Sequence, residues 1–162
     1  LEHISVPVFV KECGAGIGPE TAELLATLPI AGVESAGVGG TSWALVEALR
    51  HSAERTRAAG HELKGFGVPT CESIIACRRA MPDRIVVGSG GVRGAQDMAV
   101  CLALGADVAA SALPFLRAAT EGIDVLRGLM AQTIETLRII HFVCGATTPS
   151  ELRGSCTKAV SQ

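Results

Sequence analysis

Four times along this chain a short run rich in Val, Ile and Ala gives way to small residues, mostly glycine, and then to a helical pattern. Short strands apolar on both faces, alternating with helices, specify a parallel sheet with βα crossovers. Strands are expected near residues 6–10, 32–36, 84–88 and 106–111. The glycines follow the strands instead of preceding them. In parallel α/β folds, ligands bind at the carboxyl ends of strands, so the permissive backbone sits on the functional side.

The helices have their own signals. Pro19 and Glu20 open one that runs to about residue 28, since Pro and an acidic residue suit a first helical turn. Residues 43–50 form a second. Thr70 is a candidate N-cap for a helix over 72–81 that ends at Pro82-Asp83. Gly105 closes a helix over 96–104, and further helices are expected from about 115 and over 124–143. Residues 52–67 read as a polar loop with some helical turns.

At 162 residues the chain has enough length for one domain with a core. Hydrophobic residues at 48% against 19% charged exclude a disordered chain. A net charge of −2 with 3% aromatics gives neither the basic footprint nor the stacking rings of a nucleic-acid binder. No apolar run approaches the roughly 20 residues of a membrane span, and no signal peptide is read. Cys13, Cys71, Cys77, Cys101, Cys144 and Cys156 lack metal spacing and are expected as reduced, mostly buried thiols of a cytoplasmic protein. The histidines share no metal spacing either, and His141 reads as a structural residue of an apolar helix. Arg55, Arg57, Arg78 and Arg79 read as solvated surface. The chain opens Leu1-Glu2-His3 and enters a strand at once, the expectation for a truncated sequence.

Four segments carry chemistry. In Ser89-Gly90-Gly91-Val92-Arg93-Gly94, paired glycines let backbone approach a ligand, their amides suit a phosphate, and Arg93 adds charge. Ala110-Ser111-Ala112-Leu113 ends the next strand as a second small-residue turn. Gly39-Gly40-Thr41 follows the second strand; Thr41 suits a phosphate or ring edge, although Thr41 or Ser42 also suits a helix N-cap. Lys11-Glu12 ends the first strand, where a lysine faces either a bound anion or its neighbour Glu12. Trp43, the single Trp, suits core packing better than a pocket wall.

Taken in order, these segments resemble the FMN-dependent (type 2) isopentenyl-diphosphate delta-isomerases. Val6-Pro7-Val8-Phe9-Val10-Lys11-Glu12-Cys13-Gly14 is similar to that family's VPVIVKEVG strand. Ala36-Gly37-Val38-Gly39-Gly40-Thr41-Ser42-Trp43 is similar to its G-x-GGT-[NS]-[FW] loop, and Gly65-Phe66-Gly67-Val68-Pro69-Thr70 to its WGIPT entry. Ser89-Gly90-Gly91-Val92-Arg93, Ala103-Leu104-Gly105-Ala106-Asp107 and Pro114-Phe115-Leu116 follow in the same order.

The resemblance implies an α/β fold of the (β/α)8 TIM-barrel type. Only the C-terminal half is expected here, about four βα units (strands 5–8) forming one domain over 1–162 with the N-terminal half absent. A complete barrel takes roughly 250 residues. Such a half would carry two open sheet edges and an uncovered inner face. The resemblance also implies FMN held by Lys11 at the ring and by Thr41, Gly90, Gly91, Arg93, Ala112 and Leu113 at the phosphate. It implies Mg2+ and, as reductant, NADPH in the intact protein, a small diphosphate substrate, and a homo-oligomer. Glu34 stands where the family has Asp, and Phe66 where it has Trp. The family's HLNxxQE segment, which supplies metal and substrate contacts, is absent, so the catalytic residues are not identified and the chain alone is expected to be inactive. Two other readings stay open: an FMN-dependent α-hydroxy-acid oxidoreductase, which would place a His–Asp pair near the position of Gly39-Gly40-Thr41, and a non-catalytic flavin- or phosphate-binding fragment.

Overall fold

The computed structural model describes residues 4–154. The strands are β1 Phe9–Lys11, β2 Gly32–Glu34, β3 Ile85–Gly88 and β4 Val108–Ala109. They form one sheet in the order β1-β2-β3-β4, with every neighbouring pair parallel. The helices are α1 Pro19–Ala26, α2 Trp43–Arg50, α3 Glu54–Glu62, α4 Thr70–Ala80, α5 Ala95–Leu104, α6 Leu113–Glu121 and α7 Ile123–Val143. The parallel strand–helix alternation is as the sequence indicates, with strands shorter than expected at their ends.

The barrel expectation is corrected. The described residues form a small α/β unit with an open four-stranded sheet, not a (β/α)8 TIM-barrel type fold or its C-terminal half. The strands hold two to four residues each, and β1 and β4 are sheet edges. Alternating βα units dictate strand direction, but closure needs a bonded partner on every edge.

One face of the sheet is packed. Val33 and Val86 point into a cluster with Ile17, Ala22, Ile74, Cys77, Met81 and Cys101 from the loops and helices α1, α4 and α5. Side chains alternate between faces, so Phe9, Lys11, Glu34, Ile85, Val87 and Val108 belong to the other one. Phe9, Ile85 and Val108 there are 43%, 44% and 49% exposed. A smaller cluster joins Ala99 and Leu102 of α5 to Ala146 and Leu152, with Leu137 and Ile140 of α7 against it.

Several local readings change. Residues 54–62, within the stretch expected as a polar loop with helical turns, form the continuous helix α3. Its contact surface is made of small residues: a Cβ built at Gly60 would lie 2.1 Å from the Ala48 Cβ of α2. Two helices packed through Gly and Ala leave no periodic apolar signal. α4 begins at Thr70 with Pro69 as its N-cap, and the Thr70 hydroxyl does not cap it. Arg78 is not solvated: its side chain is 14% exposed and donates to the carbonyls of Gly105 (2.7 Å), Met81 (3.2 Å), Pro82 (2.7 Å) and Arg84 (3.0 Å). Arg84 in turn donates to the carbonyls of Ala26, Leu28 and Ile30 around the end of α1. These arginines satisfy carbonyls that helix ends and turns leave unpaired.

Of the described cysteines only Cys77 and Cys101 are buried; Cys13, Cys71 and Cys144 are exposed, against expectation. Cys156, like His3, lies outside the described residues. His141 Nδ1 sits 2.8 Å from the Leu137 carbonyl, while its buried Nε2 has no partner among the described residues. Among those residues no helix is long and apolar enough to cross a membrane.

Candidate functional site

Parallel strands put all their carboxyl ends on one rim. Lys11 ends β1, Glu34 ends β2, Ser89 follows β3 and Ala110 follows β4. The loops leaving these strands are bonded into one surface. Val68 N donates to Ala15 O (2.7 Å), Val38 N to Val68 O (2.9 Å), and Gly37 N to Ser89 O (3.1 Å). The Thr70 hydroxyl donates to Gly90 O (2.6 Å), fastening the start of α4 to the loop after β3. The Ser111 hydroxyl donates to Val92 O (2.6 Å), joining the loops after β3 and β4.

The glycine pairs meet backbone to backbone. Gly90 and Gly91 have φ of +102° and +75°, a region that favours glycine. A Cβ built at Gly91 would lie 2.3 Å from the Gly39 carbonyl oxygen, and one at Gly40 would lie 2.8 Å from Gly91 N. Side chains are therefore excluded at this contact. The amides of Gly40, Gly91 and Ala112 have no acceptor among the described residues. The Leu113 amide belongs to the first turn of α6, where helices leave donors unpaired. Bare backbone with unclaimed donors is the requirement for holding a phosphate.

The charged residues fall differently from the sequence reading. Lys11 is paired not with Glu12 but with Glu34, across β1 and β2. Glu12 instead accepts the amides of Ala15 and Gly16, each at 2.7 Å. Burial pushes the Glu12 pKa up, but the amides of Cys13, Gly16, Ala15 and Gly14 outweigh it and leave the group below its ordinary value. Arg93 is 82% exposed along its side chain, and both its amide (2.9 Å) and Nε (3.0 Å) donate to Asp97. That amide is the main cause of a lowered Asp97 pKa; burial opposes it, and the guanidinium adds to it. The two Nη groups of Arg93 have no acceptor among the described residues. A cleft of about 500 Å³ lies beside Arg93, between the start of α5 and Gln132, Thr133 and Thr136 of α7.

Thr41 is exposed, and its neighbour Ser42 caps α2 by accepting the Leu45 amide at 3.4 Å. Trp43 is 59% exposed, so it is not a core residue. The fold thus brings together Thr41, Gly90, Gly91, Ala112 and Leu113 along connected loops. It places Arg93 toward α5 and Lys11 on the open face. Three residues named in the sequence for other reasons take on unforeseen contacts at this rim: Glu34, Ser89 and Thr70. Glu34 had a signal, being a charge inside an otherwise apolar strand. Ser89 and Thr70 had none, because their partners lie 55 and 20 residues away. Among the described residues no cluster of His, Cys, Asp or Glu suits a metal ion.

No protein-family model matches the chain. It is 38% identical over 161 residues to an isopentenyl-diphosphate delta-isomerase of Methanococcoides burtonii, covering 98% of this chain and 44% of that protein. A namesake from Mycobacterium marinum is 40% identical over 154 residues, covering 93% and 43%, and one from Ignicoccus hospitalis is 35% identical over 162 residues, covering 95% and 44%. The chain spans less than half the length of these curated relatives. Among solved structures, mandelate oxidase in complex with (S)-4-hydroxymandelic acid superposes with a TM-score of 0.69 over 94% of this chain and 37% of the oxidase, at 22% identity. That likeness is one of fold.

Proposed function

We propose that this chain supplies the flavin-phosphate cradle of an FMN-dependent isomerase that interconverts isopentenyl and dimethylallyl diphosphate. The observation that carries the reading is the 35–40% identity, over more than nine-tenths of the chain, to proteins named for that reaction. The backbone contact between Gly39-Gly40 and Gly90-Gly91 gives it a physical basis, because its unclaimed amides and bare surface suit an FMN phosphate. Reduced FMN, when bound, would supply the acid–base chemistry for an allylic proton shift without net redox change.

In this reading the chain's own residues bind and orient. Amides of Gly40, Gly91, Ala112 and Leu113 hold the phosphate, and Thr41 and Gly90 border it. Arg93 contributes positive charge through its unengaged Nη groups. Lys11 presents an ammonium on the open face, where it would be available to a bound flavin ring. The Mg2+ of the resemblance has no ligand cluster among the described residues. NADPH as reductant, a cytoplasmic location and a homo-oligomeric full-length protein belong to the same proposal. The likeness to mandelate oxidase does not transfer a substrate to this chain.

The test is flavin titration followed by fluorescence quenching, on this chain and on the longer parent protein that this reading implies, with isomerisation of the C5 diphosphate assayed in the parent. The parent is expected to bind FMN and to isomerise only when the flavin is reduced. A parent that turns over without flavin, or oxidises hydroxy acids instead, overturns the reading.

A further inference from the structure

We propose that Glu34 is a positioning residue that fixes the Lys11 ammonium at the rim, through a hydrogen-bonded chain Lys11–Glu34–Ser89 that runs from β1 across β2 to the residue after β3. Its role toward a flavin rests on the function proposed above; its role toward Lys11 does not.

The register makes the contact. Lys11 pairs with Glu34, and Glu34 with Val87, so their side chains leave the same face of the sheet side by side. The neighbour in sequence cannot serve. Glu12 points to the opposite face, and its carboxylate is already taken by the amides of Ala15 and Gly16. Glu34 is itself held. Its Oε1 accepts both the Lys11 ammonium and the Ser89 hydroxyl, the latter at 2.8 Å.

Ser89 anchors the far end. It is 7% exposed, and its Oγ also accepts the Ala36 amide at 3.2 Å. Ala36 has φ of +34°, the only positive φ of a non-glycine residue among those described. Such a conformation persists where the surroundings over-determine it, and it clusters at functional sites. Here the surroundings include Ser89, and the strained residue stands two positions after Glu34 on the same strand end. An exposed ion pair alone contributes little to stability and leaves a long side chain loose. A pair with a buried hydroxyl behind it, next to a strained backbone, holds the lysine in one place.

The experiment uses the chain labelled with carbon-13 at lysine Cε, which gives few signals because the sequence contains only Lys11, Lys64 and Lys158. Lys11→Arg assigns the Lys11 signal. Glu34→Gln and Ser89→Ala are expected to narrow that signal and move it toward free lysine, with Lys64 unchanged. Glu34→Asp should restore it, and Glu12→Gln should leave it alone. In the flavin-loaded parent, Glu34→Gln should also raise the midpoint potential of bound FMN, because the ammonium loses its counter-charge, whereas Glu34→Asp should not. A Lys11 signal unmoved by Glu34→Gln, or moved equally by Glu12→Gln, overturns the proposal. Should Glu34→Gln fail to fold, Ser89→Ala decides: an unchanged Lys11 signal overturns it. A parent that takes up no FMN overturns the function proposed above while the lysine spectra still decide the role of Glu34.

Discussion

The Arg78 guanidinium on α4 is ion-paired with the Asp107 carboxylate at the entry to β4. Asp107 also accepts the Val86 amide (2.8 Å) and Arg153 Nη2 (2.8 Å), so one carboxylate ties α4, β3, β4 and the segment after α7. Adjacent in sequence, Arg78 and Arg79 therefore do unrelated things.

Replacing Arg78 by Met should destabilise the chain by about 2–4 kcal/mol, since it removes one charge partner of Asp107 and leaves the carbonyls of Gly105, Met81, Pro82 and Arg84 without this donor. Arg79→Met, on the exposed side of α4, should stay within about 0.5 kcal/mol. Chemical denaturation of both variants checks this. Equal effects would mean that the Arg78 network carries no weight.

The same network gives a pH dependence with a definite sign. Burial raises the Asp107 pKa, but the Val86 amide and the Arg78 charge outweigh it and set it below 3.8. Glu12 is likewise held below 4.5. A carboxylate depressed in the folded state stabilises it fully above the unfolded value, and that stabilisation is lost as pH falls through the folded value. Asp107→Asn and Glu12→Gln should thus lower the melting temperature at neutral pH. The deficit should shrink as pH falls below about 4, near the unfolded carboxylate values. A deficit that grows in acid contradicts the assignment.

Gly91 offers the sharpest test of the cradle. Gly91→Val places a β-branched side chain at φ +75° with its Cβ 2.3 Å from the Gly39 carbonyl. In the intact isomerase proposed above, checked for folding by its melting transition, FMN affinity should drop below detection. Arg93→Ala should weaken it about tenfold or more, the value of one charge-assisted bond. If both variants titrate like the unaltered protein, the phosphate site lies elsewhere.

Thiol reactivity should divide the cysteines. Burial raises Cys77 and Cys101 to about 11, so little thiolate forms at pH 8. Labelling read residue by residue by mass spectrometry should find Cys13, Cys71 and Cys144 modified quickly. Cys77 and Cys101 should react only on unfolding. Rapid labelling of Cys77 in the native state would show that the core under α4 opens.

The sequence by itself determined the alternation of parallel strands and helices, because apolar periodicity and glycine breaks are local signals carried by consecutive residues. It also indicated the two glycine pairs and the rim on which they lie. Tertiary structure alone decided what those residues touch. Lys11 pairs with Glu34 and not Glu12, because strand register joins residues 23 apart and alternation turns neighbours to opposite faces. Thr70, whose pattern suits an N-cap, gives its hydroxyl to Gly90 instead. Arg78, indistinguishable from Arg79 in the sequence, is drawn inward by carbonyls that helix ends leave unpaired. Residues 54–62 are helical because Gly60 lets α3 lie against Ala48, a contact of small residues without an apolar stripe. Closure of the sheet was likewise beyond a local pattern. Strand direction follows from each βα unit, whereas an edge is closed only by a partner strand, and β1 and β4 have none among the described residues.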